Sequence, residues 1–282
     1  MSAPPRGTPV REALEGAITA ITAAGCETPR LDAEVLLAHV LEVPRERLML
    51  DRELVVAGAS VRVFQDAVRR RAVLREPVAY IIGSRGFRHI DLRVDPRVLV
   101  PRPESELLVE HGLTLAPGLR VLDVGTGSGA IALALKHERP DLELSASDVS
   151  EDALALAGAN ARALGLDLGL ICADLLRGVP DEFDAVLANL PYVAESERAA
   201  LAPEIARHEP PGALFSGPEG LDAIASLIEQ LRDRPRVADV ALEVGAGQAP
   251  AVAGMLRGAG FTNVECLVDL AGIERVVTGE RR

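Results

Sequence analysis

Apolar positions in the first seventy-five residues recur at helical spacing. Val10, Leu14, Ile18 and Ile21 share one face, and Gly25 ends the run. Thr8-Pro9 ahead of them reads as an N-cap followed by proline at the first helical position. Thr28-Pro29 repeats the device before Leu31, Val35, Leu36 and Val40, and Val43-Pro44 opens a short helix through Leu48. Ser60 is a candidate cap for a fourth helix with Val63, Phe64, Ala67 and Val68 turned inward. The spacing predicts a small all-helical domain over residues 1–76. It carries no evident catalytic residue and reads as a recognition module.

The period changes at residue 77. Val78–Ile82, a break at Gly83-Ser84, and Ile90–Val94 predict a β-hairpin, and Asp95-Pro96 turns the chain. Residues 77–100 are therefore read as a linker. From 101 to 282, short apolar runs alternate with helical periods. Strands are predicted near 120–124, 143–148, 168–172, 183–188, 238–243, 263–268 and 273–278. Helices are predicted near 103–115, 129–138, 151–164, 219–233 and 248–259. Strands separated by helices imply parallel βαβ units and a doubly wound α/β sheet. Only Asp269–Gly272 joins the last two strands, so they should form an antiparallel hairpin at the sheet's end. The expectation is a seven-stranded sheet with its last strand antiparallel.

Composition narrows the class. Hydrophobic residues make up 48% of 282, enough for a packed core. No apolar run reaches the ~18 residues that suggest a membrane span. The opening Met-Ser-Ala-Pro-Pro-Arg lacks the apolar stretch of a leader, so a cytoplasmic protein without membrane contact is expected. Cys26, Cys172 and Cys266 lie far apart, and the five histidines have no ligand spacing. Reduced core thiols and no metal are expected. The net charge of −12 argues against a general nucleic-acid binder. Residues 61–102 nevertheless hold ten Arg against four Asp/Glu. That excess is either a solvated helix face plus a hairpin or a docking surface for an RNA-rich or acidic partner.

Two strand ends carry chemistry. After Val121–Val124, the loop Gly125-Thr126-Gly127-Ser128-Gly129 permits a tight turn and close backbone approach to a ligand. Its Gly-x-Gly-x-Gly spacing is not the dinucleotide fingerprint. Asp148, ending the next strand, can accept both hydroxyl protons of a ribose. Asp123 either faces the cofactor's amino-acid part or holds the loop. Asp174 and Leu175, after the third strand, fall where an adenine ring would lie, and Asp174 could also be a helix N-cap. A second glycine loop, Glu243–Gly247, reads as a structural turn.

The other strand end is Asn189-Leu190-Pro191-Tyr192. An amide nitrogen is a poor nucleophile because its lone pair is delocalised. A site helps by accepting hydrogen bonds from both of its N–H groups as charge develops. The Asn189 side-chain oxygen and the Leu190 carbonyl are suitable acceptors, and Tyr192 offers a ring face. The bland alternative is an Asx-type turn closing a strand. Loop and clamp together suggest methyl transfer from S-adenosyl-L-methionine to an amide or amino nitrogen.

The chain resembles the bacterial protein-(glutamine-N(5)) methyltransferases that modify peptide chain release factors, and its second half resembles the S-adenosylmethionine-dependent methyltransferase fold. The likeness runs through Glu76–Ile81, Gly83, Phe87, Pro101–Glu106, the glycine loop, Asn189–Tyr192, Glu209-Pro210, Ala213-Leu214, Gly220-Leu221, Leu242–Gly245 and Gln248. The resemblance implies that the substrate is the glutamine of a Gly-Gly-Gln loop in release factors. It implies that Asn189, Leu190, Pro191 and Tyr192 hold that amide. Gly125 to Gly129, Asp148, Leu175 and Asn189 would line the cofactor pocket. Two residues depart from the family pattern: Leu190 stands where proline is usual, and Leu175 where an aromatic is common. Leu190 keeps the carbonyl but loses a fixed φ, so modest loosening is expected. The rival reading is an adenine amino-group methyltransferase on DNA or RNA, which uses a similar clamp on a flipped base. The acidic charge and the lack of a target-reading domain speak against it. A monomer that does not bind DNA directly is expected.

Overall fold

A computed structural model describes residues 7–51 and 53–281 of the chain. The reading of residues 1–6 as lacking a leader's apolar stretch lies outside the described residues. The elements, in chain order, begin with β1 (Thr8–Pro9), α1 (Val10–Ala23), α2 (Pro29–Leu41), α3 (Arg45–Leu50), β2 (Val55–Val56), α4 (Ala59–Ala72) and α5 (Val78–Ile82). A hairpin of β3 (Ser84–Phe87) and β4 (Ile90–Arg93) leads to α6 (Glu106–Leu113). The alternating part runs β5 (Arg120–Val124), α7 (Ala130–Glu138), β6 (Glu143–Asp148), α8 (Glu151–Leu164), β7 (Gly169–Cys172) and β8 (Ala185–Ala188). It ends with α9 (Pro203–His208), α10 (Asp222–Arg232), β9 (Asp239–Glu243), α11 (Ala249–Gly258), β10 (Thr262–Val268) and β11 (Glu274–Glu280).

The chain divides into two compact units. One holds residues up to Gly83 together with Ala202–His208; the other holds Ser84–Leu201 and Glu209–Arg282. The helical unit buries Ile21, Leu36, Leu37 and Phe64 where α1, α2 and α4 pack together. Within it, Arg71 is buried and donates to Asp32 at 2.6 Å and to Glu204 at 3.0 Å. Arg75 donates to the other Glu204 oxygen at 2.6 Å and to the Ala24 carbonyl at 2.7 Å. The carboxyl of Glu204 is pushed up by burial, but its own backbone N–H and the two guanidinium groups outweigh this and hold it below its ordinary value.

Several expectations for the first hundred residues need correction. Ser60 lies inside α4, whose N-cap is Gly58, and Val63 is 55% exposed. Thr8 does not cap α1; it pairs in a short antiparallel bridge with Val56, and Pro9 occupies the N-cap. Val78–Ile82 is helix, not the first arm of a hairpin. Its β-branched and aromatic residues suit a strand, but Pro77 starts a turn whose carbonyl accepts from Tyr80 and Ile81. Gly83, at φ +75°, stops it. Val78, Ile81 and Ile82 then pack on the helical core, and that burial overrides local preference. The hairpin forms one segment later, with Phe87 paired to Ile90. Part of the Arg-rich stretch is engaged within the protein, while Arg62, Arg85 and Arg93 are exposed. Arg70 is bound to Glu76, Arg71 is buried, and Arg88 is bound to Glu138. Of the three thiols only Cys26 is buried; Cys172 is exposed and Cys266 half-buried.

The sheet follows expectation. Its seven strands run in the order β10-β11-β9-β8-β5-β6-β7. β5, β6, β7, β8 and β9 are parallel, and β11 is antiparallel to both β9 and β10. The reversed strand is thus inserted beside β9, and β10 forms the edge. Helices cover both faces: Ile224, Leu227, Val252 and Leu256 on one, Leu108, Val109, Leu133 and Leu135 on the other. Strand order reverses around β5, so β5 and β8 open a crevice at their carboxyl ends, where such sheets bind ligands. Among the described residues no helix is long and apolar enough to cross a membrane.

Candidate active site

A cavity of about 610 Å³ lies at that crevice, within the size range of small-molecule sites. Gly125, Thr126, Gly127, Ser128, Asp148, Asp174, Leu175, Asn189, Leu190 and Pro191 line it. Two expected residues, Gly129 and Tyr192, do not. Gly129 ends the turn at φ +85°, and a Cβ there would lie 2.9 Å from the Leu133 side chain. It serves the packing of α7. The Tyr192 hydroxyl donates to Glu243 at 3.3 Å.

The first loop is held from beneath. Asp123 is fully buried and accepts from the Thr126 hydroxyl at 2.6 Å and the Ala132 N–H at 3.3 Å. Burial pushes its carboxyl up to about 6, against the pull of those two donors. Of its two sequence readings, holding the loop is the one it fulfils. Asp148 stands at the cavity wall with both oxygens oriented by backbone N–H groups, Gly127 at 3.0 Å and Ser150 at 2.9 Å. Asp174 is not a helix N-cap. It closes a turn by accepting from Arg177 at 2.7 Å, and no helix follows. Leu175 sits at φ +56°, a conformation that costs a residue with a Cβ about 1–2 kcal/mol.

The second group of residues surrounds Asn189. Its Nδ2 donates to Ser105 Oγ at 2.9 Å, which leaves Oδ1 to accept a proton from a ligand. Leu190 is 4% exposed, and its Cδ2 lies 3.0 Å from where a Gly125 Cβ would be. The leucine side chain therefore fills the space under the first glycine. Tyr192 is fixed at both ends, since Gln248 Nε2 donates to its carbonyl at 2.9 Å. The adjoining segment is tied by Val193 N–H to Leu214 O at 2.9 Å. Arg102, also at the cavity, donates to both oxygens of Glu209 at 2.7 and 2.8 Å. This pair links the Pro-Arg-Pro-Glu segment to Glu209-Pro210.

Ser105, Glu243 and Gln248 were not singled out as site residues from sequence. Glu243 lies in the loop read as a structural turn, yet burial pushes its carboxyl up to about 7 against the Ser105 and Tyr192 hydroxyls. The available signal was the parallel between Leu122-Asp123-Val124-Gly125 and Leu242-Glu243-Val244-Gly245. Each places an acid one residue before the last apolar position.

A mostly parallel sheet brings a glycine loop, a strand-end carboxylate and a carboxamide to one cavity, and the fold is that of the methyltransferases. A solved methyltransferase from Pyrococcus furiosus shares the fold, with a TM-score of 0.52 at 16% identity over 78% of this chain and 96% of that one. Residues 12–83 match the PrmC N-terminal domain and residues 103–217 the methyltransferase small domain. The release factor glutamine methyltransferase of Cereibacter sphaeroides is 41% identical, covering 95% of this chain and 96% of that protein. That of Rhodospirillum rubrum is 40% identical over 92% and 81%. The chain belongs to the release factor glutamine methyltransferase family and is a protein-glutamine methyltransferase.

Proposed function

We propose that this protein transfers a methyl group from S-adenosyl-L-methionine to the side-chain amide nitrogen of the glutamine in the Gly-Gly-Gln loop of peptide chain release factors. The observation that carries the reading is Asn189. Asn189 lines the cavity, and one N–H of its amide donates to Ser105, which leaves its oxygen to accept.

The cavity fits the donor chemically. Asp148 presents a carboxylate at the wall for a ribose diol, and the Gly125–Ser128 backbone borders the same space. Leu175 offers an aliphatic wall where an adenine would lie. When bound, S-adenosylmethionine supplies an electrophilic methyl on its sulfonium. Asn189 Oδ1 and the Leu190 carbonyl accept the two N–H groups of the substrate amide, fixing its plane and offsetting charge as the lone pair localises. Pro191 limits the backbone after those acceptors, and Tyr192 anchors the end of the clamp. No strong base is needed, because a methylated amide cation gives up its proton readily.

The test is transfer of labelled methyl from S-adenosylmethionine to a purified release factor. Label should enter the release factor and disappear when the Gly-Gly-Gln glutamine is replaced by alanine. Label in DNA or ribosomal RNA instead would sink the reading and favour the adenine alternative.

A further inference from the structure

Glu243 is 1% exposed, and its Oε2 has no hydrogen-bond partner. The nearby cations are committed elsewhere: Arg275 to Asp269 at 2.9 Å, and Arg102 to Glu209. An acid buried without a dedicated counter-ion is costly, and a β9 residue facing apolar neighbours needs no carboxylate to fold. What Glu243 does face is the back of the clamp. Tyr192 donates its phenol proton to Oε1. Ser105 accepts from Asn189 Nδ2, which leaves the serine's own proton for the carboxylate whose ionisation it eases.

We propose that Glu243 is a positioning residue for methyl transfer, orienting Asn189 through the Ser105 hydroxyl and Tyr192 through its phenol. The inference rests on the reading of Asn189–Tyr192 as the glutamine clamp. An ionised Glu243 polarises the serine hydroxyl, which in turn draws on the Asn189 amide. Asn189 Oδ1 then becomes the better acceptor for a substrate N–H as positive charge grows on the amide. The neutral acid holds the same atoms with a weaker pull.

The groups around Glu243 set when this happens. Burial raises its carboxyl to about 7; Glu104 adds to the rise, and the Ser105 and Tyr192 hydroxyls and Arg275 oppose it. Tyr192 is itself pushed up, first by burial and then by the Glu243 charge, so it stays a phenol and a donor. The ionised fraction of Glu243 grows with pH. The turnover number kcat should therefore rise through about pH 7.

The experiment compares wild type, Glu243→Gln and Ser105→Ala with release factor as substrate, measuring kcat and KM across pH and cofactor affinity by calorimetry. Glutamine keeps an acceptor oxygen for both hydroxyls but cannot ionise. Glu243→Gln should lower kcat above neutrality by about 10-fold to 10²-fold, and the rise through neutrality should vanish. KM and cofactor affinity should stay within about twofold, the signature of an effect confined to the transition state. Ser105→Ala should flatten the profile in the same way, and it carries the test if Glu243→Gln fails to fold. Asp123, the other buried acid with a raised value, remains in both variants, so a rise that persists would be its doing and would overturn the proposal. Unchanged kcat in Glu243→Gln would also overturn it. If wild type itself leaves the release-factor glutamine unmethylated, it is the reading of the clamp that fails.

Discussion

The loops after β5 and β9 begin with nearly the same residues and do opposite things. Asp123 and Glu243 are both buried strand-end acids followed by Val and Gly. Asp123 turns back onto its own loop, through Thr126 and Ala132, and the loop opens onto the cavity. Glu243 turns outward to Tyr192, and its loop is closed by a side chain. Gln248 Oε1 accepts from Gly245 N–H at 2.8 Å, while its amide donates to the carbonyls of Tyr192 and Glu219. The position three after the glycine decides the outcome. Ser128 is short and leaves room; Gln248 is long and fills it. Of the two strand-end loops, the one after β5 borders the cavity, and the one after β9 is bridged by Gln248.

Asn189 follows β8, the strand between β5 and β9, and its replacement separates the two loops most sharply. Asn189→Ala should cut kcat by about 10²- to 10³-fold, the scale of removing one group that stabilises developing charge. Cofactor affinity measured by calorimetry should stay largely intact. Its loss in a folded variant would tie Asn189 to the first loop instead of to the substrate.

The acids themselves come next. A carboxyl raised from 3.8 to about 6 on folding makes the native state bind more protons than the unfolded one. Asp123 therefore stabilises the fold fully below the unfolded value, and that contribution is lost as pH rises through about 6. Relative to Asp123→Asn, wild type should lose about 3 kcal/mol between low pH and neutrality, an order-of-magnitude figure. Urea midpoints of both proteins at several pH values measure it. A constant difference would show that Asp123 is not desolvated.

Smaller effects belong to the glycines. Gly125 has φ +73° and a Leu190 methyl 3.0 Å from its absent Cβ; Gly247 has φ +83° and open space. Alanine at either position should cost about 1–2 kcal/mol of stability through the left-handed backbone. Only Gly125→Ala should also weaken cofactor binding, and equal binding defects would erase the contrast. The smallest change is expected from Leu190→Pro. The carbonyl is kept and φ is fixed, so kcat should shift by less than about threefold. Loss of turnover would show that the Leu190 side chain under Gly125, not its carbonyl, is what the clamp requires.

The strands and the two motifs could be read because each leaves a local mark. Val121–Val124 is an apolar run stopped by glycine, and Asn189 follows another such run. Val78–Ile82 misled because its composition suits a strand, and only packing on the helical core makes it helix. The anchor formed by Arg71, Arg75 and Glu204 left no mark, because the partners are 133 and 129 residues apart and share no period. α9 itself passed unnoticed for the same reason.

By itself the sequence determined the alternation of elements, the glycine loop and the Asn189–Tyr192 strand end, since periodicity and residue type act over a few positions. Tertiary structure decided which strand-end loop borders the cavity, that the Tyr192 hydroxyl meets Glu243, and that Asn189 Nδ2 donates to Ser105. Those outcomes depend on side chains meeting across 51 and 84 residues of chain. Burial and hydrogen-bond partnership are properties of the folded neighbourhood, and no local pattern encodes them.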